Sequence, residues 1–307
     1  MVGKNITAAS EFLASGKLVA FPTETVYGLG ADACSDEAVI SIYNVKKRPS
    51  FNPLIIHSFS VEELEKYVIF NKQARIIAEK FWPGPLTLVL PRRNDLISLV
   101  VSCGLDTIAV RIPNHPVALQ LLEKCKLPIA APSANLSGKV SPTTASDVYA
   151  EIGSLISYVL DGGNCQVGIE STVLSLVSET PVILRPGAVT GEMLKEVLGD
   201  VTFAVEGSKI ISPGMMKKHY SPSLPMEINA KEPKDGYAFW GFGKMQFSVT
   251  LNLSEDGNLT EAAANLFRFL RIVDNSEKFK GILISPIPET GVGYAINDRI
   301  KRAAIRD

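Results

Sequence analysis

Histidine is scarce in this chain. His57, His115 and His219 are the only three among 307 residues, and no two are neighbours. That excludes HExxH metalloprotease chemistry and metal sites built from several imidazoles. Cysteine is nearly as sparse: Cys34, Cys103, Cys125 and Cys165 form no CxxC pair and have no histidine beside them. Neither zinc-ligand spacing nor a disulfide framework is legible, which fits a reducing cytosol. Net charge is missing as well. Lys plus Arg (31) against Asp plus Glu (32) leaves −1, so no global field draws the chain onto nucleic acid or an anionic membrane, and any polyanion site must be local. No apolar run reaches the roughly 18 residues that a bilayer span needs. The start, Met1 to Gly16, is interrupted by Lys4, Asn5, Ser10 and Glu11 and lacks the apolar stretch of a secretory signal. A cytoplasmic protein with no membrane partner is expected.

What is present is ordinary globular material. With 46% hydrophobic and 21% charged residues, the composition excludes wholesale disorder and fibrous repeats, and the length suggests two domains. Up to residue 205, short β-branched and apolar segments alternate with helical periodicity. Strands are predicted over 18–21, 87–90, 107–112, 128–131, 157–160, 171–176 and 182–184. Helices are predicted over 6–15, 36–46, 61–67, 73–81, 116–124, 145–152 and 192–198, with Gly16 closing the first. Several strands follow one another without a helix between, which argues for a twisted mixed sheet, α/β or α+β, rather than a clean βαβ repeat. Residues 206–225 hold three prolines and three basic residues against one acidic and read as an extended interdomain linker. Beyond it, strands over 237–242, 249–253 and 281–285 and helices over 259–273 and 296–304 make a small β/α layer, 226–307.

Few segments carry chemistry. Lys46-Lys47-Arg48-Pro49-Ser50-Phe51-Asn52-Pro53 ends a predicted helix, and its prolines hold cationic heads where phosphate would suit them; a solvated turn after a helix C-terminus is the ordinary alternative. Ala130-Ala131-Pro132-Ser133-Ala134-Asn135-Leu136-Ser137-Gly138 follows a predicted strand and offers hydroxyl and amide groups at its carboxyl end, where α/β sheets bind ligands. Thr23-Glu24-Thr25-Val26-Tyr27-Gly28-Leu29-Gly30 has two glycines but not the third of a dinucleotide loop. Gly168 to Thr172 and Arg185-Pro186-Gly187 add hydroxyls and a cation. There is no GxSxG elbow and no cysteine with an evident base. Thr, Ser, Asn, Lys and Arg suit positioning and charge stabilisation, a pattern that fits phosphoryl or nucleotidyl transfer.

Taken in order, 21–30, 46–57, 107–114, 130–141, 168–172, 184–188, 212–222 and 293–303 resemble the threonylcarbamoyl-AMP synthases of the YrdC type in their long form. The paired KxR and SxN motif is matched by Lys46, Arg48, Ser133 and Asn135. The SPGM…HY linker is matched by Ser212 to Met215 with His219 and Tyr220, and the AINDR ending by Ala295 to Arg299. Position 47 departs, being Lys where many relatives have a small residue, and the C-terminal domain is short.

The resemblance implies a YrdC-like catalytic domain (1–205) with a large basic cavity, a linker (206–225) folding over it, and a small Rossmann-like domain (226–307). It implies that L-threonine, bicarbonate and ATP, with Mg²⁺, give threonylcarbamoyl-AMP and pyrophosphate. The product would pass to the tRNA threonylcarbamoyl-transferase machinery, for N6-threonylcarbamoyladenosine at position 37 of ANN-decoding tRNAs. It places threonine at Thr25, His57, Arg111, Ala131 and Ser171. It places ATP at Arg48, Asn52, Thr107, Ser133, Asn135, Ser141, Arg185 and Tyr220, with Lys46 and Arg48 catalytic and no metal ligand assigned. Weak RNA contact is a further expectation. Two other classes remain: a double-stranded RNA-binding module, which the neutral charge disfavours, and a carbamoyl-transfer enzyme, whose acylphosphatase and zinc-finger modules are not evident.

Overall fold

The computed structural model describes residues 1–205, 212 and 220–305. Eleven strands form one mixed sheet: Val2–Gly3 (β1), Val19–Phe21 (β2), Gly28–Asp32 (β3), Ile55–His57 (β4), Leu86–Pro91 (β5), Thr107–Arg111 (β6), Ile129–Ala130 (β7), Tyr158–Leu160 (β8), Thr172–Ser175 (β9), Val182–Arg185 (β10) and Thr202–Phe203 (β11). Their order is β1-β8-β2-β3-β7-β4-β6-β5-β9-β10-β11. Met226–Ile228 (β12), Tyr237–Gly241 (β13), Leu251–Asn252 (β14) and Gly281–Ile284 (β15) form a second, parallel sheet in the order β12-β15-β13-β14. The mixed α/β class and the small parallel layer follow the sequence reading. None of the described helices is long and apolar enough to cross a membrane.

Local chemistry explains the elements that hold the site. The helix Asp36–Lys46 starts at Ser35, whose side chain accepts from the Ala38 amide, and carries Asp36 and Glu37 in its first turn, where the helix dipole favours acids. Its apolar stripe buries Val39 and Ile42. It ends at Lys47, in the left-handed region at φ 51, and the Arg48 amide turns back to donate to the Tyr43 carbonyl at 3.0 Å. That reversal aims the basic loop at the sheet.

The strands behind the site are buried on both faces. Leu54, Ile56, Leu88, Leu90, Ile108, Val110 and Leu174 belong to the main core. Ile55, Val89, Ala109, Val173 and Leu184 make a separate apolar patch on the opposite face, as the two-residue period of a strand requires. This second face is the one that matters for function.

Three readings change. β3 runs through the two-glycine stretch, for which no strand is predicted. A Cβ on Gly30 would stand 2.9 Å from Ile129 Cγ2 and 3.0 Å from the Phe21 ring, so close packing between strands, not phosphate approach, requires glycine there. β4 is a strand that the sequence analysis does not predict, because burial on both faces erases alternation. The predicted helix 61–67 ends at Leu64.

Most of the proline-rich segment, including Met215 and His219, lies outside the described residues. Ser212 and Tyr220 are buried. Val26, Val140, Ile169 and Tyr220 share one apolar cluster with Trp240, Leu266, Phe267 and Ile296, so the small layer is packed onto the large one. At Gly168 (φ +75) an added Cβ would lie 2.5 Å from the Ala264 Cα; the helix Leu259–Asp274 rests directly on that backbone.

Candidate active site

β4 and β6 supply the floor. Their parallel register pairs Ile55 with Ala109 and His57 with Arg111. Continued toward the strand starts, the same register sets Pro53 beside Thr107. One end of the pair therefore displays His57 and Arg111. The other displays Thr107 and the loop bearing Arg48 and Asn52, roughly 13 Å away at about 3.3 Å per residue. Ile55 and Ala109 lie between. Over this face opens a cleft lined by Thr25, Arg48, His57, Arg111, Ala131, Ser133, Ser171 and Arg185 from the sequence-derived set, together with Thr23, Tyr27, Gly28 and Glu170. Lys46, Asn52, Thr107, Asn135, Ser141 and Tyr220 stand behind or beside that lining.

At the first end Arg111 is the centre. It is 4% exposed and is held by three groups. Nε donates to the Gly84 carbonyl at 3.2 Å, Nη1 donates to Thr25 Oγ1 at 2.9 Å, and Nη2 lies 2.7 Å from Glu24 Oε1. The last contact is an ion pair without hydrogen-bond alignment, so Nη2 keeps donor capacity among the described residues. Thr25 in turn shares a 2.8 Å hydrogen bond with Thr23. A guanidinium fixed this way is built to meet a carboxylate bidentately. His57 stands beside it, edge-on to Phe21 and with Nδ1 3.2 Å from the Ile55 carbonyl. Burial, reinforced by the Arg111 charge, lowers its pKa to about 3. The imidazole is therefore neutral at physiological pH and adds no charge.

A wall of hydroxyls and one cation closes the side. Ser171 Oγ pairs with Thr87 Oγ1 at 2.8 Å. Arg185 donates from Nε to the Ser171 carbonyl (3.0 Å) and from Nη2 to Ser171 Oγ (3.1 Å). Burial lowers the Arg185 pKa, yet a guanidinium stays charged.

At the second end, Arg48 donates to the Asn52 carbonyl (2.9 Å) and the Pro53 carbonyl (2.8 Å). Burial brings its pKa down to about 10, leaving it cationic. Lys46 behaves differently. It is buried, and its ammonium donates to the Ser133 carbonyl at 2.6 Å and to the Asn135 carbonyl. Burial, then the Arg48 charge, lowers its pKa. The structure thus explains why KxR and SxN come as a pair: the lysine ties down the loop that carries the serine, while the arginine faces the cleft. Asn135 donates to the Leu136 and Lys139 carbonyls, both at 2.8 Å, bracing the same loop.

Two carboxylates escaped notice in the sequence as site residues. Glu24 pairs with Arg111. Glu170 accepts from Ser141 Oγ at 2.6 Å and from Arg299 Nε at 3.3 Å. The signal was available, since both sit inside quoted motifs, but nothing in one dimension shows which arginine each meets. Tyr220 is packed against Phe267, ring centres 5.2 Å apart, with the Arg299 guanidinium 5.8 Å from its centroid. Arg48, Arg111 and Arg185 against Glu170 leave the lining two charges positive with His57 neutral, while Glu24, outside the lining, pairs with Arg111. The whole arrangement offers two anion-holding ends joined by an apolar floor.

Comparison with known proteins identifies the family. Residues 11–187 match the Sua5/YciO/YrdC family model, described as telomere recombination, and residues 189–305 match the threonylcarbamoyl-AMP synthase C-terminal domain. The chain is 40% identical to the threonylcarbamoyl-AMP synthase of Bacillus subtilis (strain 168), covering 97% of this chain and 92% of that protein. It is also 40% identical to that of Pyrococcus abyssi (strain GE5 / Orsay), covering 97% and 94%. Its structure superposes on the crystal structure of Pyrococcus abyssi Sua5 complexed with L-threonine with a TM-score of 0.89 at 38% identity, over 99% of this chain and 97% of that one. With both domain models matched in sequence and the same fold over nearly its whole length, the chain belongs to the threonylcarbamoyl-AMP synthase family, adenylyl-transferring enzymes, in the form that carries the C-terminal domain.

Proposed function

We propose that this cleft joins L-threonine, bicarbonate and ATP into L-threonylcarbamoyladenylate and releases pyrophosphate, for the N6-threonylcarbamoyladenosine of ANN-decoding tRNAs. One observation supports the reading above all: the β4–β6 pair sets a buried arginine with hydroxyl neighbours at one end of an apolar floor and a second arginine at the other. Two anionic ligands that must be joined head to tail need that layout. The complex of the Pyrococcus abyssi relative with L-threonine supports threonine as one of them.

In this reading Arg111 takes the threonine carboxylate, Thr25 and Ser171 give hydroxyl contacts, and the backbone at Ala131 completes the pocket. His57, uncharged, shapes it without competing for the carboxylate. The amino group then points along the floor, where with bicarbonate it becomes a carbamate. A carbamate is already a carboxylate nucleophile, so attack on the α-phosphorus requires no protein base at that step. Its oxygen bonds to phosphorus while the bond to the β-phosphate oxygen breaks and pyrophosphate leaves. Arg48 and Arg185 stabilise charge on the phosphates, Ser133 and Asn52 position the nucleotide, and Lys46 and Asn135 hold the loop that presents Ser133. Thr107, Ser141 and Tyr220 support this end from behind. Glu24 and Glu170 are committed to arginines, so Mg²⁺ enters on the phosphates as part of MgATP. The apolar floor limits water, which would hydrolyse the mixed anhydride.

The test is an incubation with ATP, Mg²⁺, labelled bicarbonate and each amino acid in turn, reading pyrophosphate and labelled adenylate. Threonine-dependent labelled adenylate is expected. Label transferred only from carbamoyl phosphate, or RNA binding with no adenylate, would replace this reading with one of the two other classes.

A further inference from the structure

The C-terminal layer reaches the cleft through one residue that the proposed chemistry does not use. Arg299, in the helix Gly293–Ala304, is fully buried. Its Nη1 donates to the Pro186 carbonyl at 2.5 Å and to Asp298 Oδ2 at 3.1 Å. Nε and Nη2 reach the Glu170 carboxylate and the Glu170 carbonyl, both at 3.3 Å. Glu170 immediately precedes Ser171, and Pro186 immediately follows Arg185. The guanidinium therefore clasps the outer flanks of the two residues that form the hydroxyl and cation wall of the cleft.

The chemistry of this clasp is unusual for a docking contact. An apolar side chain would fasten two packed layers at least as well, because burying an ion pair brings little net stability. A carboxylate in the lining of an anion-binding cleft is costly to the ligand unless a cation answers it, since like charges at close range in a partly desolvated site repel strongly. Glu170 has such a position. Its Oε1 also holds Ser141 at 2.6 Å, so the carboxylate is needed as an acceptor while its charge is unwelcome.

We propose that Arg299 acts on the nucleotide end of the cleft through Glu170: it answers the carboxylate charge that would otherwise oppose the phosphates beside Arg185, so that the C-terminal layer sets the affinity for ATP. This rests on the function proposed above. The consequence is that the small domain is part of the binding apparatus, and its removal would be felt first in nucleotide affinity.

The experiment compares the full chain with Arg299→Met, Arg299→Lys, Glu170→Gln and the double variant Glu170→Gln/Arg299→Met. Titration calorimetry with a non-hydrolysable ATP analogue reads affinity, and thermal unfolding reads stability. Arg299→Met is expected to weaken the analogue by about 10- to 100-fold. Glu170→Gln, which keeps an acceptor for Ser141 and drops the charge, should bind the analogue at least as well as the parent. The double variant should recover affinity to within about threefold while its unfolding temperature stays low. A merely structural clasp predicts the opposite for the double variant, whose docking is still broken. Parent-like affinity in Arg299→Met, or a double variant as weak as the single one, overturns the proposal. Should Arg299→Met not fold, weaker binding by Glu170→Gln or by a folded Arg299→Lys with full charge retained overturns it equally. A parent chain that binds the analogue yet makes no threonine-dependent adenylate refutes the proposed reaction instead, and leaves the affinity comparisons to decide the role of Arg299.

Discussion

Replacing Lys46 with Met separates two ways in which a motif lysine can serve a nucleotide site. Lys46 Nζ donates to the Ser133 carbonyl at 2.6 Å and to the Asn135 carbonyl, and the side chain is 1% exposed. Methionine fills nearly the same volume, so the perturbation is the loss of two bonds from a charged donor and the stranding of two buried carbonyls. Each stranded acceptor costs about 1–3 kcal/mol, and removal of a buried ammonium returns part of that. A net loss of about 3 kcal/mol lowers the unfolding temperature by roughly 6–12 °C for a domain of this size. The loop that carries Ser133 is then slack, and KM for ATP should rise more than kcat falls. Differential scanning calorimetry paired with a pyrophosphate-release assay over an ATP series measures both. An unchanged or raised unfolding temperature together with lost kcat and parent-like KM would refute the tie and make Lys46 a cation acting on the phosphates.

Three further perturbations follow from the same geometry. Arg48→Ala removes a cation facing the cleft, together with its bonds to the Asn52 and Pro53 carbonyls, and should lower turnover by about 10²–10³-fold in a folded protein of somewhat lower unfolding temperature; pyrophosphate release at the parent rate would remove Arg48 from the chemistry. His57 has a folded pKa of about 3 against about 6.5 in the unfolded chain. The unfolded state alone takes up that proton, so stability is complete above pH 6.5 and declines as pH falls toward 3, by about 1.4 kcal/mol per unit. His57→Gln should flatten this acid slope in urea titrations at pH 7 and 5, and equal slopes would contradict the assignment. Gly168→Ala puts a Cβ 2.5 Å from the Ala264 Cα at φ +75 and should cost about 1–3 kcal/mol. Limited proteolysis between the two layers would show faster cleavage, and an unaltered pattern would mean that the helix can shift at no cost.

Much of this was legible from one dimension, and the reasons differ by element. The helix Asp36–Lys46 was read to its boundaries because Ser35, the acidic first turn and its apolar stripe all act locally. The same holds for Ala145–Ile152, with its Thr144 and Asp147 capping box. β3 and β4 were not recognised, since strands covered on both faces lose the alternation that marks a strand, and their neighbours β7 and β6 lie far along the chain. Among site residues, the motif serines and arginines were assigned through the resemblance to the family, since their type and spacing alone left an ordinary turn or structural ion pair open. The division of labour between Lys46 and Arg48 was not legible, because it depends on which of the cations at 46 to 48 the helix end turns inward.

By itself the sequence determined the class of fold, the two-layer organisation, the absence of multi-histidine and disulfide chemistry, and the residue types suited to anions. Those are properties of local propensity, composition and short spacing. Only the tertiary structure decided that Glu24 answers Arg111 and Glu170 answers Arg299, that His57 is neutral, and that a near-zero net charge still yields a cationic cleft. Each of these depends on burial and on partners separated by up to 129 positions along the chain, and a charge acquires its meaning from the partner that the fold brings to it.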